Sequence, residues 1–375
     1  MNDPSSPTPA QRAELIREEA YRLGFDAVSF ASARPLGAEF DRYEAFIARG
    51  AHGVMGFLAD DPEARRTVDN PRFVPGAKTV ICTATRTTAD DGEGLEALIA
   101  RYARGRDYHN ALGRKLRKLA RFVRGLGDGV EEVVARGYVD AAPMLERAWA
   151  ARSGLGFVGK NGLIIVPGLG SLVLLGEVVT TLEVQEGTPL EDRCGSCTRC
   201  LDACPTQAFD GPWILDPRRC VAYLTIEHRG PFPEELEGQM GAHVFGCDDC
   251  QTVCPYNAGR GAREPLRESS LTPLPTWREL RLRDLLQAND DEMLGYTGAT
   301  PLRRPGAEGL ARNAARAMGE ERAPQGCGDA DADADADADA NANRRALKDA
   351  ASHHLYEVVR ETAKRALRRS CREGA

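Results

Sequence analysis

The chain has 375 residues, 28% of them charged, and a formal net charge of −7. That length allows two or three domains with a sizeable core. The acidic balance excludes a uniformly basic surface, so any basic face must be local. The first residues, MNDPSSPTPAQRAEL, carry no basic n-region, apolar h-region or twin arginine, which predicts a cytoplasmic protein without a secretory leader. Residues 10–50 read as mostly helical, with a strand at Asp26–Ala31. KTVICTATR, from Lys78, is the β-branched run of a buried strand. From Leu95 to Leu126 apolar residues recur at helical spacing, with arginine and lysine at many of the other positions. The stretch Gly162–Thr181 is the most apolar and has Glu177 as its one charge, but Pro167 and glycines 162, 168, 170 and 176 interrupt it. It reads as two buried strands about a PGLG turn and not as a membrane span.

The expected class is α+β: an α/β domain over residues 1–190, a small cysteine-rich module over 191–271, and helices alone over 272–375. The last segments, PTWRELRLRDLLQ, AEGLARNAARAMG and ALKDAASHHLYEVVRETAKRALRR, predict short amphipathic helices in series, as in HEAT repeats. Six Asp-Ala pairs at 329–340 lie among them and predict a solvated acidic loop over 329–343.

Eight of the eleven cysteines form an interlocked pattern. CGSCTRCLDACP holds Cys194, Cys197, Cys200 and Cys204 before Pro205, the bacterial ferredoxin run C-x2-C-x2-C-x3-C-P. CDDCQTVCP adds Cys247, Cys250 and Cys254 before Pro255. In two-cluster ferredoxins the fourth cysteine of each run ligates the other cluster. Cys194, Cys197 and Cys200 then take Cys254, and Cys247 and Cys250 take Cys204, one thiolate short. Cys220 lies between the runs and completes the second set, giving two [4Fe–4S] clusters. Zinc also accepts C-x2-C pairs, but three thiolates this closely spaced suit a cuboidal cluster better than one tetrahedral ion. Disulfides are disfavoured in a reducing cytosol. Cys82 reads as a core residue, and Cys327 and Cys371 as incidental.

Positive charge is concentrated in two places. Between Arg101 and Arg124 stand seven arginines and two lysines against Asp107 alone, and between Arg344 and Arg372 nine basic residues face Asp349, Glu357 and Glu361. Such runs are either solvated helix faces or a phosphate grip. Arg114, Lys115, Lys118, Arg365 and Arg368 are the candidate contacts to nucleic acid.

YARGRDYH (102–109), YVDAAPMLERAWAARSGLGFVGKN (138–161), the cysteine module with YLTIEHRG and FGCDDCQTVCPYN, and GLARNAARAMG (309–319) together resemble the epoxyqueuosine reductase family. The resemblance implies a cobalamin-dependent iron–sulfur enzyme, and access to a long tRNA is compatible with the monomer expected here. It would reduce the epoxide of epoxyqueuosine at the tRNA wobble position to queuosine, with an external electron donor and no membrane. It also implies a cobalamin domain related to that of reductive dehalogenases, and helical repeats that help hold tRNA. Clusters pass single electrons, so the two-electron step needs another centre, such as cobalamin. The opening ring needs an acid at its oxygen.

Asp140 matches the family's proton donor, a role in which burial should raise its pKa. Read from its own surroundings, Asp140 could instead cap a helix starting near Pro143. Arg104, Asp107, Tyr108 and His109 are then expected near the corrin or the modified base, with Lys160 and Asn161 of GFVGKN in the cobalamin pocket. Alternatively, YARGRDYH is the polar start of a helix. Two other functions compete: a corrinoid iron–sulfur reductase of a small molecule, and a ferredoxin-like electron-transfer subunit.

Overall fold

The computed structural model describes residues 6–127, 132–259, 264–320 and 330–372. The N-terminal part runs α1 (Pro9–Arg22), β1 (Ala27–Ser32), α2 (Ala38–Ala48), α3 (Pro62–Arg66), β2 (Thr79–Arg86), α4 (Tyr108–Arg124), β3 (Ala135–Tyr138), α5 (Glu146–Arg152), β4 (Phe157–Val158), β5 (Ile164–Ile165) and β6 (Val173–Thr180). Thr8 and Gln11 close a capping box on α1, with Pro9 at its first position, which satisfies donors the helix leaves open.

An antiparallel four-stranded sheet has the order β1-β2-β6-β3. Every residue of β2 is buried, because both faces of the sheet are covered. Ile81, Val178 and Phe30 face Ile16 of α1 and Leu112, Leu116 and Leu119 of α4. Their neighbours Val80, Cys82 and Val179 face Trp149 of α5 and Phe73. The period of two along each strand thus feeds two separate cores. A side chain on Gly137 or Gly176 would stand 2.7 or 2.8 Å from Leu116, so these two glycines let α4 lie close to the sheet.

The expected long helix from Leu95 is shorter than its apolar spacing predicts. Residues 94–98 and 101–103 form separate 3-10 turns, and α4 begins only at Tyr108, capped by Asp107. Gly105 passes so close to Leu271 that a Cβ would meet its backbone at 2.7 Å. Leu95, Ile99 and Ala103 thereby turn away from α4 into a different core.

The cysteine module contains α6 (Arg199–Asp202), a hairpin of β7 (Phe209–Gly211) and β8 (Ile214–Leu215), α7 (Val221–Ile226), α8 (Glu234–Glu237) and α9 (Asp249–Thr252). Then follow α10 (Thr276–Glu279), α11 (Leu282–Gln287), α12 (Asp290–Thr297), α13 (Gly306–Met318), α14 (Ala330–His353) and α15 (Glu357–Arg372). Trp277, Leu285, Leu310, Ala314, Val359 and Ala363 share one core with Leu95, Ile99 and Phe245, so the helical part is built onto both preceding regions.

The Asp-Ala tract is not the loop expected: from Ala330 onward it is the first part of α14. Alanine is the strongest helix former, and carboxylates near a helix N-terminus suit its dipole. Ala346 and Leu347, packed in the core, anchor the helix further along. Cys82 is fully buried, while Cys327 and the Cys371 side chain lie outside the described residues. Among the described residues no helix is long and apolar enough to cross a membrane.

Candidate functional site

Short helices present the cysteines: Cys200 sits in α6 and Cys250 in α9, and each cysteine-proline step ends its run. Burial holds the thiols of Cys194, Cys200, Cys220, Cys247, Cys250 and Cys254 above their ordinary range, and neighbouring cysteines add to it. Those neighbours fall into two groups. Cys200 feels Cys254 and Cys197, Cys194 feels Cys200, and Cys254 feels Cys197. Cys220 feels Cys204, Cys247 feels Cys220 and Cys250, and Cys250 feels Cys220 and Cys204. Cys200 also reaches Cys250 across the two groups. Two sets of four thiols fit two iron–sulfur clusters, whose irons supply the positive charge that thiolates require at such depth. His243 Nε2 lies 3.7 Å from Cys247 Sγ and 3.1 Å from Asp249 Oδ2.

The loop of the second set is tied to the rest of the protein. The Arg101 backbone N–H donates to Asp248 Oδ2 at 2.7 Å, and its guanidinium reaches Asp248 at 3.3 Å and Thr252 at 3.1 Å. Gly246 is in the left-handed region, and a Cβ there would come within 2.6 Å of Ala100. From this loop a series of rings leads outward. Phe245 is 6.2 Å from Tyr102, Tyr102 is 6.0 Å from Tyr108, and Tyr108 stacks on His109 at 4.2 Å.

At the end of that series stands Asp140. The Tyr108 hydroxyl donates to its Oδ2, and His109 Nε2 is 3.7 Å from the same oxygen. His109 Nδ1 is held 2.7 Å from Asp107 Oδ1. Asp140 has a positive φ of 46°, and its backbone N–H donates to Glu146 Oε1 at 2.8 Å. Its side chain is 58% exposed, so it is not buried as expected. Nor does Asp140 cap a helix: α5 starts at Glu146, and its N-cap is Leu145. Behind the loop Glu177 is 0% exposed. Burial and then Glu146 push the Glu177 carboxyl well up, and burial and then Asp140 push Glu146 up to about 7.

The structure gathers Asp107, Tyr108 and His109 around Asp140, while Arg104, Lys160 and Asn161 are engaged at other points of the chain. Arg104 is buried and spends its guanidinium on the carbonyls of Ile99 at 2.8 Å and Asp90 at 2.7 Å. Lys160 donates to the carbonyls of Gly195 and Cys197 at 2.6 and 3.1 Å, which puts it under the first cysteine loop. Asn161 is buried and closes a turn onto the Leu163 N–H at 3.2 Å. Of the candidate nucleic-acid contacts, Arg114, Lys118 and Arg368 are exposed. Lys115 instead pairs with Glu268 at 2.8 Å, and Arg365 with the buried Glu237 at 3.2 Å.

Three features escape a reading of the sequence. Arg101 looks there like one more member of a basic run. Glu146 and Glu177 look like ordinary helix and strand residues until folding brings them together. In GLARNAARAMG the side chains of Arg312, Asn313 and Arg316 are buried and collect carbonyls of residues 224–244, among them Leu224 at 2.9 Å, Thr225 at 2.7 Å and His243 at 2.6 Å. Polar residues at i, i+1 and i+4 within an alanine-rich helix are the available signal. Hollows of about 480 and 550 Å³, one between α12, α13 and α15 and one beside Lys78 and Glu183, adjoin neither the cysteines nor Asp140.

Two family models match the chain: "4Fe-4S double cluster binding domain" over residues 193–257, and "Epoxyqueuosine reductase QueG, DUF1730" over residues 68–141. The chain is 40% identical over 320 residues to an epoxyqueuosine reductase of Gloeobacter violaceus, covering 84% of this chain and 97% of that protein. A crystal structure of an epoxyqueuosine reductase with an epoxyqueuosine-modified tRNA-Tyr stem loop is similar to it, with TM-score 0.81, 30% identity and coverage of 95% of this chain and 89% of that one. A Bacillus subtilis epoxyqueuosine reductase, described with its catalytic aspartate loop swung out of the active site, is similar at TM-score 0.79 and 28% identity, covering 95% of this chain and 90% of that one.

Proposed function

The chain belongs to the epoxyqueuosine reductase family, and from that premise we propose that it reduces the epoxide of epoxyqueuosine in tRNA to queuosine, with Asp140 as proton donor. It is an oxidoreductase with a double-cluster iron–sulfur domain. Cys194, Cys197, Cys200 and Cys254 hold one cluster, and Cys204, Cys220, Cys247 and Cys250 the other. The second set opens toward the Tyr102–Tyr108–Asp140 series, and this juxtaposition carries the reading. Cobalamin, when bound, supplies the two-electron chemistry that single-electron clusters lack. Asp140 and His109, with side chains 58% and 42% exposed, are the groups of this chain that such a group would meet. Residues 1–190 form the cobalamin and catalytic domain, 191–271 the cluster domain, and 272–375 HEAT-like repeats that help grip tRNA.

Asp140 holds the proton at the oxirane oxygen as the ring opens, where an alkoxide would otherwise form. Tyr108 and the Glu146 carboxyl fix the side chain and the backbone of that residue, and Asp107 orients His109. Arg114, Lys118 and Arg368 meet tRNA phosphates, an external donor reduces the clusters, and the protein acts as a cytoplasmic monomer. The test is anaerobic turnover of epoxyqueuosine-containing tRNA by reconstituted protein with and without cobalamin, read by nucleoside mass spectrometry. Loss of one oxygen only with cobalamin is expected. No conversion with clusters and cobalamin bound would transfer the reading to a small-molecule corrinoid reductase, and failure to bind cobalamin to an electron-transfer subunit.

A further inference from the structure

Removing an epoxide oxygen as water consumes two electrons and two protons, and Asp140 alone supplies one proton per charging. We propose that Glu146 and Glu177 form a buried proton reserve that recharges Asp140 between the two protonations. This rests on the reductase reading. Glu177 is 0% exposed in the middle of β6, and neither of its carboxyl oxygens has a hydrogen-bond partner of ordinary geometry. An ionised carboxylate in that position would be uncompensated, so the group is neutral and carries a proton. Glu146 lies between it and the site, with Oε1 already 2.8 Å from the Asp140 backbone nitrogen.

The charged and titratable surroundings support storage of a proton. Asp140, from the loop after β3, acts on both glutamates, and Cys82 of β2 lies within the field of Glu177. Tyr108 of α4 feels Glu146. Among the described residues the cation acting on Glu146 is Arg147 of α5, whose guanidinium donates to the Gly162 carbonyl. Burial is the largest effect on both carboxyls, ahead of the repulsion from neighbouring carboxylates. Together these raise both, Glu146 to about 7, so that the pair holds a proton near neutral pH on the more deeply buried Glu177.

Asp140 gives its proton to the oxygen as the first carbon–oxygen bond breaks and becomes a carboxylate. The glutamate pair returns a proton to Asp140 and gains a negative charge. The second proton then leaves with the oxygen as water when the second carbon–oxygen bond breaks. The two electrons arrive through the clusters, and solvent refills the pair.

Two measurements on Glu177→Gln and Glu146→Gln test this. The infrared spectrum of the purified protein at neutral pH should show protonated-carboxyl absorption that Glu177→Gln clearly reduces, whether or not the enzyme is active. In turnover, Glu177→Gln should approach the parent at acid pH, where solvent protons substitute. It should fall behind by roughly a hundredfold at alkaline pH, the low end of what a positioned proton donor contributes. Absorption that Glu177→Gln leaves unchanged, or a loss of activity equal at every pH, overturns the reserve. A parent protein that shows the Glu177 absorption but leaves epoxyqueuosine unchanged overturns the reductase reading instead.

Discussion

At the scale of single residues, the site sets a strained and exposed aspartate against a buried and neutral glutamate. Asp140 occupies the left-handed region at φ 46°, which aspartate and asparagine tolerate better than other side chains. Asp140→Asn therefore keeps the backbone and the Glu146 contact while removing the acid. Turnover is expected to fall by at least about a hundredfold, with iron content and cluster spectra unchanged; activity near that of the parent would remove Asp140 as the donor. Cys220→Ser is expected to lower iron content or leave a three-iron centre, and unaltered iron and spectra would take it off the ligand set. The raised Glu146 and Glu177 pKa values also make a stability prediction. The folded state binds more protons than the unfolded one between the ordinary glutamate value of 4.5 and about 7 for Glu146, so stability falls as pH rises through that window. Thermal unfolding of Glu177→Gln should show a weaker decline.

At the scale of elements, the closeness of α4 to the sheet determines where Tyr108 and His109 stand. Leu116 fits against Gly137 on β3 and Gly176 on β6, and the same helix begins with the Asp107 cap. Gly137→Ala would place a methyl group 2.7 Å from Leu116 Cβ and 3.1 Å from its backbone carbon, so the helix itself must shift. A destabilisation of about 1–3 kcal/mol is expected from such overpacking, measurable by denaturant unfolding, with a larger relative drop in turnover. Unchanged stability would mean that helix and sheet separate easily. The β-branched run of β2 and the helical spacing of α4 were legible because each has a single period over eight or more residues. The 3-10 turns at 94–103 were not, because Leu95, Ile99 and Ala103 repeat at the same interval and only their packing against Phe245 distinguishes them.

At the scale of the whole molecule, the two basic runs separate into structural and exposed members. Lys115 and Arg365 pair internally, whereas Arg114, Lys118 and Arg368 are exposed. Arg114→Glu with Lys118→Glu is expected to weaken tRNA binding and to flatten its salt dependence. The log–log slope should change by about 0.7 for each single-strand phosphate that the variant no longer neutralises. An unaltered slope would place the phosphate grip elsewhere. Lys115→Gln should leave that slope alone and lower stability instead. The helices of residues 272–372 share their core with Leu95, Ile99 and Phe245, and Arg312, Asn313 and Arg316 bind α7 and the loop before the second cysteine run. The cysteine module and the C-terminal helices therefore rest on common packing.

By itself the sequence determined the chemistry that depends on short spacing: eight cysteines in two interlocked runs, a buried β-branched strand and a tyrosine–histidine pair beside arginines. These signals are local, set by ligand geometry and by the periods of strand and helix. It did not determine which charges are free, because Arg104, Lys115, Lys160 and Arg365 lose their freedom only to partners that folding brings to them. Nor did it reveal Glu146 and Glu177, whose proton depends on depth and mutual repulsion. Tertiary structure decided those points, because desolvation and pairing act over distances in space that no sequence spacing encodes.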